Sequence, residues 1–480
     1  MPASYRVRFA PSTGLYILPA SPAHPQTRAR GGGRSNSRTG CRECKLRRVK
    51  CDERYPVCLR CERRGSVCLP SCRPATWLTE TPWLDVFNRG VVHAPPNMLL
   101  PPDANKRLLQ HWLEKSSHMM VLDPNRNPFS YPILQHLAGA PSLLHALQSI
   151  SAGYDEFYNP ESLQTCLEER GRALGLVHDE IRSQSSPLTV LFLTVFLLGL
   201  SSSWIEEYPF KFGKEHFLGA RTVIDLIIAD ENRKEDPLYG LAIGSYMYWD
   251  MACSYFFSSA EVQPLNTPSV FASIQETSDT FHPIAGFSVE LFYLLGSLGR
   301  YCRSVHDTSE RDVILEQTFE EQLQSWDPAK DDEHLALLSD SYRCHGLIML
   351  YRVCGRPESR SFGGHGDLED EVLFHLETDS MIGELARHII DNLSQTPISS
   401  SYFNLHSIPL FTAGSELPYE HAELRQEVRN RFKALYSTNR CPVNLLAVEL
   451  LTELWEMRDS GIVVSFLEFL LQKNVCLSFA

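Results

Sequence analysis

"CRECKLRRVKCDERYPVCLRCERRGSVC", residues 41–68, holds six cysteines at the spacing C-x2-C-x6-C-x6-C-x2-C-x6-C, with Lys and Arg filling much of the space between them. The pattern divides into two equivalent halves: Cys41, Cys44 and Cys51, then Cys58, Cys61 and Cys68. Of the 14 cysteines in the chain, seven fall between Cys41 and Cys72 and the rest are scattered singly. The apolar "GLYILP" near the start is short and broken by proline, so it makes no convincing signal peptide and reduced thiols are expected. In reduced protein, paired C-x2-C spacing points to zinc rather than to disulfides. One tetrahedral ion uses four thiolates and leaves two idle. Two ions need eight ligand positions, which six sulfurs fill only if two of them bridge. By the symmetry of the repeat the bridging pair is Cys41 and Cys58, giving one ion Cys41, Cys44, Cys51 and Cys58 and the other Cys58, Cys61, Cys68 and Cys41. Cys72 breaks the repeat and reads as a spare thiol.

Apolar residues are few in this segment, and about 30 residues lie below the size at which a hydrophobic core suffices. Structural zinc contributes about 10–16 kcal/mol per site in small modules, so the metal is expected to replace the core. Between Cys44 and Cys51, KLRRVK has no Gly or Pro, and a short helix starting at the metal is expected there. Lys45, Arg47, Arg48 and Lys50 would project from about two turns of it. The second half repeats this more weakly with Glu62, Arg63 and Arg64 before Gly65 stops the helix. A rigid cationic face of this kind suits phosphates and the DNA major groove.

These residues resemble the fungal binuclear zinc cluster DNA-binding domain: all six cysteines, the K-L-R-R-V-K run after the second, and Pro56 in the loop before the fourth stand where that family has them. The resemblance implies double-stranded DNA as partner, read from Arg47 and Arg48 at a CGG-type triplet. Arg48 is the best candidate for the specific contact, because arginine bonds O6 and N7 of guanine bidentately. Lys45, Lys50, Arg54, Arg60, Arg63 and Arg64 are candidates for phosphate contacts, which position the domain without specifying sequence.

Charge divides the chain sharply. Residues 1–75 carry 16 Lys or Arg against 4 Asp or Glu, leaving 29 against 54 for the remainder and -13 overall. A basic head on an acidic body directs a polyanion to the head alone. Residues 1–38 read as a disordered basic arm, whose Arg28, Arg30, Arg34 and Arg38 suit non-specific attraction or nuclear import. Residues 39–70 form the zinc module and 71–102 a proline-rich linker. Pro70, Pro74, Pro82, Pro95, Pro96, Pro101 and Pro102 exclude a sustained heptad there, so the dimerising coiled coil common in the family is not expected. Monomeric binding, or a homodimer formed through the large domain, remains.

From 103 to 480 apolar residues recur three and four apart in "ANKRLLQHWLEKSSHMM", "LLHALQSISAGYDEF", "SLQTCLEERGRALGLVHDEI", "KEHFLGARTVIDLIIA", "HLALLSDSYRCHGLIMLYRV" and "LLAVELLTELWEMRD". The expected fold class is therefore all-α, a small two-zinc module followed by a large helical domain. The longest apolar run, residues 188–200, is too short to span a bilayer of about 30 Å and reads as a buried helix, so no membrane is expected. This body resembles the fungal-specific transcription factor regulatory domain of the second type, with landmarks "HFLGARTVI" (216–224), "IPLFTAGSE" (408–416), "LRQEVRNRF" (424–432) and "LLTELWEMRDSG" (450–461).

Signs of an enzyme are missing: there is no H-E-x-x-H, no G-x-x-x-x-G-K-[ST], and Gly296-Ser297-Leu298-Gly299 fails the nucleophile-elbow spacing. The Gly363, Gly364, Gly366 cluster reads as a loop, "AKDDEH" as a solvated helix start, and most histidines as core or surface fillers. The reading is a nuclear, sequence-specific transcription regulator. The resemblance implies control of RNA polymerase II genes in a fungus, such as a metabolic or secondary-metabolite gene set. The alternative is a helical interaction scaffold whose zinc module docks protein or RNA.

Overall fold

The computed structural model describes residues 39–70, 101, 103–156, 161–205, 213–258, 260–262, 268–327, 332–356, 368–475 and 477. The expected basic arm, the linker in which no coiled coil is expected (Pro101 apart), Cys72 and the glycine cluster at 363–366 lie outside them. Among the described residues the chain is all-helical, with a single isolated bridge between His282 and Gly286 and no strand.

Two short helices, α1 (Arg42–Leu46) and α2 (Leu59–Arg64), belong to the zinc module. The body runs through α3 (Lys106–Glu114), α4 (Pro141–Glu156), α5 (Glu161–Ser183), α6 (Leu188–Ile205), α7 (Lys214–Ala229), α8 (Tyr239–Cys253), α9 (Pro268–Ser278) and α10 (Val289–Thr308). It continues with α11 (Val313–Ser325), α12 (Glu333–Cys354), α13 (Leu368–Ser394), α14 (Ser407–Ser415), α15 (Ala422–Asn439), α16 (Val443–Asp459) and α17 (Phe466–Lys473). Neighbours in sequence are mostly neighbours in space: α4 packs on α5, α6 on α7, α12 on α13 and α15 on α16.

The apolar run at 188–200 lies in α6, which is buried on every side from Thr189 to Ser202, and no described helix is long and apolar enough to cross a membrane. Landmark Phe217 of α7 sits in an aromatic cluster, its ring 4.8 Å from Phe257 and edge-on to Trp249 at 5.3 Å. The other three landmarks converge. Arg352 and Arg458 close on the buried Glu416 at 2.7 and 3.1 Å, Arg425 pairs with Asp459 at 2.6 Å, and Trp455 Nε1 donates to Gly414 O at 2.8 Å. These segments therefore join α12, α14, α15 and α16 through paired charges and a buried indole hydrogen bond.

Two readings gain a structural cause. Gly296 and Gly299 let α10 approach α8: an ideal Cβ would sit 2.5 Å from Asp250 Oδ2 and 2.1 Å from Ser254 Oγ. Within "AKDDEH", Asp332 does more than meet solvent, since it caps α12 by accepting from Leu335 N and accepts a hydrogen bond from Tyr402.

Candidate zinc centre and nucleic-acid interface

Each half of the module opens with a cysteine that caps its own helix. Cys41 Sγ accepts from Cys44 N at 3.3 Å at the start of α1, and Cys58 Sγ accepts from Cys61 N at 3.4 Å at the start of α2. The backbone N–H groups of Glu53 and Cys58 point at Cys51 Sγ and Cys68 Sγ, at 3.3 and 3.4 Å. Such donors favour the thiolate form that a metal requires.

The six sulfurs form two groups of four, Cys41, Cys44, Cys51, Cys58 and Cys41, Cys58, Cys61, Cys68, sharing Cys41 and Cys58. Within a group the ligand atoms lie within 4.8 Å of one another, and Cys41 to Cys61, Cys44 to Cys58 and Cys41 to Cys58 measure 3.7, 3.7 and 3.9 Å. A zinc tetrahedron with Zn–S bonds of about 2.3 Å sets its sulfurs about 3.8 Å apart. The donor set fits two zinc ions. All six cysteines and Val57 are buried, whereas Leu46 is 80% and Tyr55 69% exposed, so thiols rather than hydrocarbon make the interior. Burial, with Cys58 and Cys41 adjacent, pushes the Cys61 thiol up to about 12, and burial raises Cys44 and Cys68 as well. Without metal these three thiols would hold their protons; two dications make six crowded thiolates tolerable.

The basic run departs from the expected two-turn helix. α1 starts ahead of it at Arg42 and ends at Leu46; Arg47 is its C-cap and Arg48 turns into the left-handed region at φ 54°. The chain turns there because Cys51 must return to the cluster. Gly65 ends α2 as expected, at φ 60°. Lys45 is half-buried, and Arg47, Arg48, Lys50, Arg54, Arg60, Arg63 and Arg64 are exposed. Arg47, Arg60, Arg63 and Arg64 line one open depression of about 520 Å³ with Asp52 and Leu59, while Lys45, Arg48, Lys50 and Arg54 lie outside that lining. Arg54 is paired with Glu62 at 3.0 Å, which reduces its call on phosphate. Pro56 follows a cis peptide bond in the loop.

Sequence reasoning missed Asp52, whose carboxylate accepts from Leu59 N at 3.2 Å and orders the start of α2. It also missed the seat of the module: Cys68 N donates to Ser437 Oγ of α15 at 2.8 Å. These partners are 369 positions apart and leave no local signal. A third grouping, Asp340, Cys344 and His388, already holds a cation, since Arg343 Nε lies 2.7 Å from Asp340.

In the body, a cavity of about 50 Å³ lies between α8, α12, α14 and α17, lined by apolar side chains such as Met349, Phe411, Phe466 and Leu470. It has room for a water or two. Its His345 is engaged by Thr412 Oγ1 at 2.8 Å.

Comparison with known proteins matches residues 39–77 to the fungal Zn(2)-Cys(6) binuclear cluster domain and residues 107–480 to the fungal specific transcription factor domain. The chain is 34% identical over 121 residues to "Zn(2)-C6 fungal-type transcription factor afumD" of Aspergillus fumigatus, covering 23% of this chain and 32% of that one. It is 58% identical over 33 residues to "White-opaque regulator 2" of Candida albicans, 7% of each chain. To "Transcription activator AMTR1" of Alternaria alternata it is 51% identical over 35 residues, 7% of this chain and 4% of that one. The matches thus span under a third of these relatives' lengths. No solved structure matches the chain. Six thiols in two shared groups and a helical body matched over most of its length place the chain in the fungal specific transcription factor family with an N-terminal Zn(2)-Cys(6) cluster.

Proposed function

We propose that the chain is a nuclear, sequence-specific regulator of RNA polymerase II genes in a fungus, governing a metabolic or secondary-metabolite gene set, and that it acts by binding rather than by catalysis. Its DNA is a duplex carrying a CGG-type triplet. Arg47 and Arg48 face the base edges, with Arg48 donating to guanine O6 and N7. Lys45, Lys50, Arg60, Arg63 and Arg64 hold phosphates, and Arg54 contributes less because Glu62 already engages it. The body serves as the regulatory domain and as the surface through which a homodimer would form.

The observation that carries this reading is Arg48 itself. It is an exposed arginine held at positive φ on a metal-fixed turn, a conformation that costs a side-chain-bearing residue about 1–2 kcal/mol and persists where function requires the side chain.

Selection of bound sequences from random duplex DNA tests it, and the number of enriched triplets gives the number of subunits on DNA. Arg48→Ala should cost about 1–3 kcal/mol on the selected site and relax preference at one base pair. Lys45→Ala should weaken all sequences alike and lower the slope of log affinity against log salt by about 1. No enriched motif, or equal losses for the two variants on every sequence, would favour a module that docks protein or RNA.

A further inference from the structure

The two halves of the zinc module share a backbone and differ in what that backbone carries. Lys45, Arg48, Val49 and Lys50 of the first half correspond to Glu62, Gly65, Ser66 and Val67 of the second. Arg48 N donates to Lys45 O and Gly65 N to Glu62 O, both at 3.0 Å; Val49 N donates to Cys44 O and Ser66 N to Cys61 O, again both at 3.0 Å. Arg48 and Gly65 both have positive φ, 54° and 60°. The two edges thus have the same shape. The first carries Lys45, Arg48 and Lys50 where the second has Glu62, Gly65 and Val67; the second keeps Arg63 and Arg64 exposed on its helix, while its turn from Gly65 to Cys68 lies on the body.

Three contacts seat the second edge. Gly65 faces Asn430 of α15 so closely that an ideal Cβ would fall 1.9 Å from Asn430 Oδ1, and Asn430 would have to move to admit any side chain. Cys68 N donates to Ser437 Oγ at 2.8 Å, and Arg440 Nη1, just past the helix, donates to Cys68 O at 3.4 Å. Asn430 and Ser437 are seven residues apart, about two turns, so they share one face of α15. Across the module, Lys115 Nζ stands over the Tyr55 ring, 6.0 Å from its centroid.

We propose that the second-half edge of the zinc module is a docking surface for α15 of its own chain, so that the helical domain holds the module with the first-half edge outward. The docked edge is built from Gly65 and the backbone N–H and C=O of Cys68, which meet Asn430 and Ser437 of α15 and Arg440 just past it, and while so docked it cannot also enter a DNA groove. One cluster therefore offers one base-reading edge. The outward role of the first edge rests on the proposed DNA reading; the docking does not.

Hydrogen–deuterium exchange on the full chain tests this. Removing zinc with a chelator should speed exchange of the amides at 430–440 about tenfold or more while α6, which packs on α4, α5, α7 and α8, keeps its protection. Unchanged exchange at 430–440 would overturn the docking whether or not the chain binds DNA. Gly65→Arg recreates in the second half a residue that the first half already sustains at this φ. It should leave two zinc ions bound and still deprotect 430–440; two bound ions with wild-type protection would contradict the proposal, and if the variant loses zinc the chelation result on the wild-type chain decides. Adding the selected duplex should leave 430–440 protected, and loss of protection would show that the docked module is not the reading form.

Discussion

Arg48 and Gly65 occupy the same place in the repeat and the same left-handed backbone region, yet only one is the residue that region favours. Replacing Arg48 by glycine should therefore stabilise the module by about 1 kcal/mol while removing base discrimination. Thermal melting of the zinc-loaded chain beside its affinity for target and scrambled duplexes would reveal that opposition, and a variant that melts earlier while still discriminating would contradict the role given to Arg48. The ligands and cations were legible in the sequence because they lie within 28 residues and their spacing is dictated by one tetrahedral geometry. The turn at Arg48 was not. KLRRVK consists largely of good helix formers, and only the demand that Cys51 return to the cluster overrides that local preference.

At the level of elements, helices with one apolar face could be read from their periodicity: α7 spans Lys214–Ala229, the stretch expected, and α5 and α12 differ by a residue or two at their ends. α8 and α14 gave no such signal because nearly every residue in each is buried, which erases the alternation on which such a reading depends. Buried ionisable groups join these elements. Burial works against a charged Glu416, yet Arg458 and Arg352 hold its carboxyl below the usual carboxylate value of 4.5. Glu416→Ala would leave two arginines without their shared partner and should cost about 3–5 kcal/mol, measurable by chemical denaturation; a loss under 1 kcal/mol would deny the network a structural role.

His282 adds a pH dependence. Its Nδ1 accepts from Ile284 N and Ala285 N at 3.1 and 3.0 Å while Nε2 faces Leu241 O at 3.1 Å, so the ring is neutral, and burial lowers it to about 4. Burial lowers His345 to about 4 too. The unfolded chain binds these protons first, so their share of stability is complete above about 6.5 and is lost as pH falls toward 4. Glu416 adds loss in the same direction below its ordinary value of 4.5. The helical circular-dichroism signal should thus melt at progressively lower temperature from pH 6.5 downward, and a melting temperature flat to pH 5 would contradict the neutral histidine contacts.

Across the whole molecule, an acidic body carries a small basic module whose interior is sulfur. Linkage between the two could not be read from the sequence, since Cys68 meets Ser437 across most of the chain and no period or motif records such a pair. The charge division was readable, and it directs a polyanion to the basic head of residues 1–75, which includes the module. The account's central claim is that two zinc ions stand where a hydrophobic core would be and hold the DNA-reading edge in shape. Native mass spectrometry of the reduced, zinc-supplied chain, paired with duplex binding before and after chelation, tests it most directly. The account predicts two zinc ions per chain and loss of sequence-specific binding once they are removed; fewer than two ions, or target affinity unchanged by chelation, would contradict it.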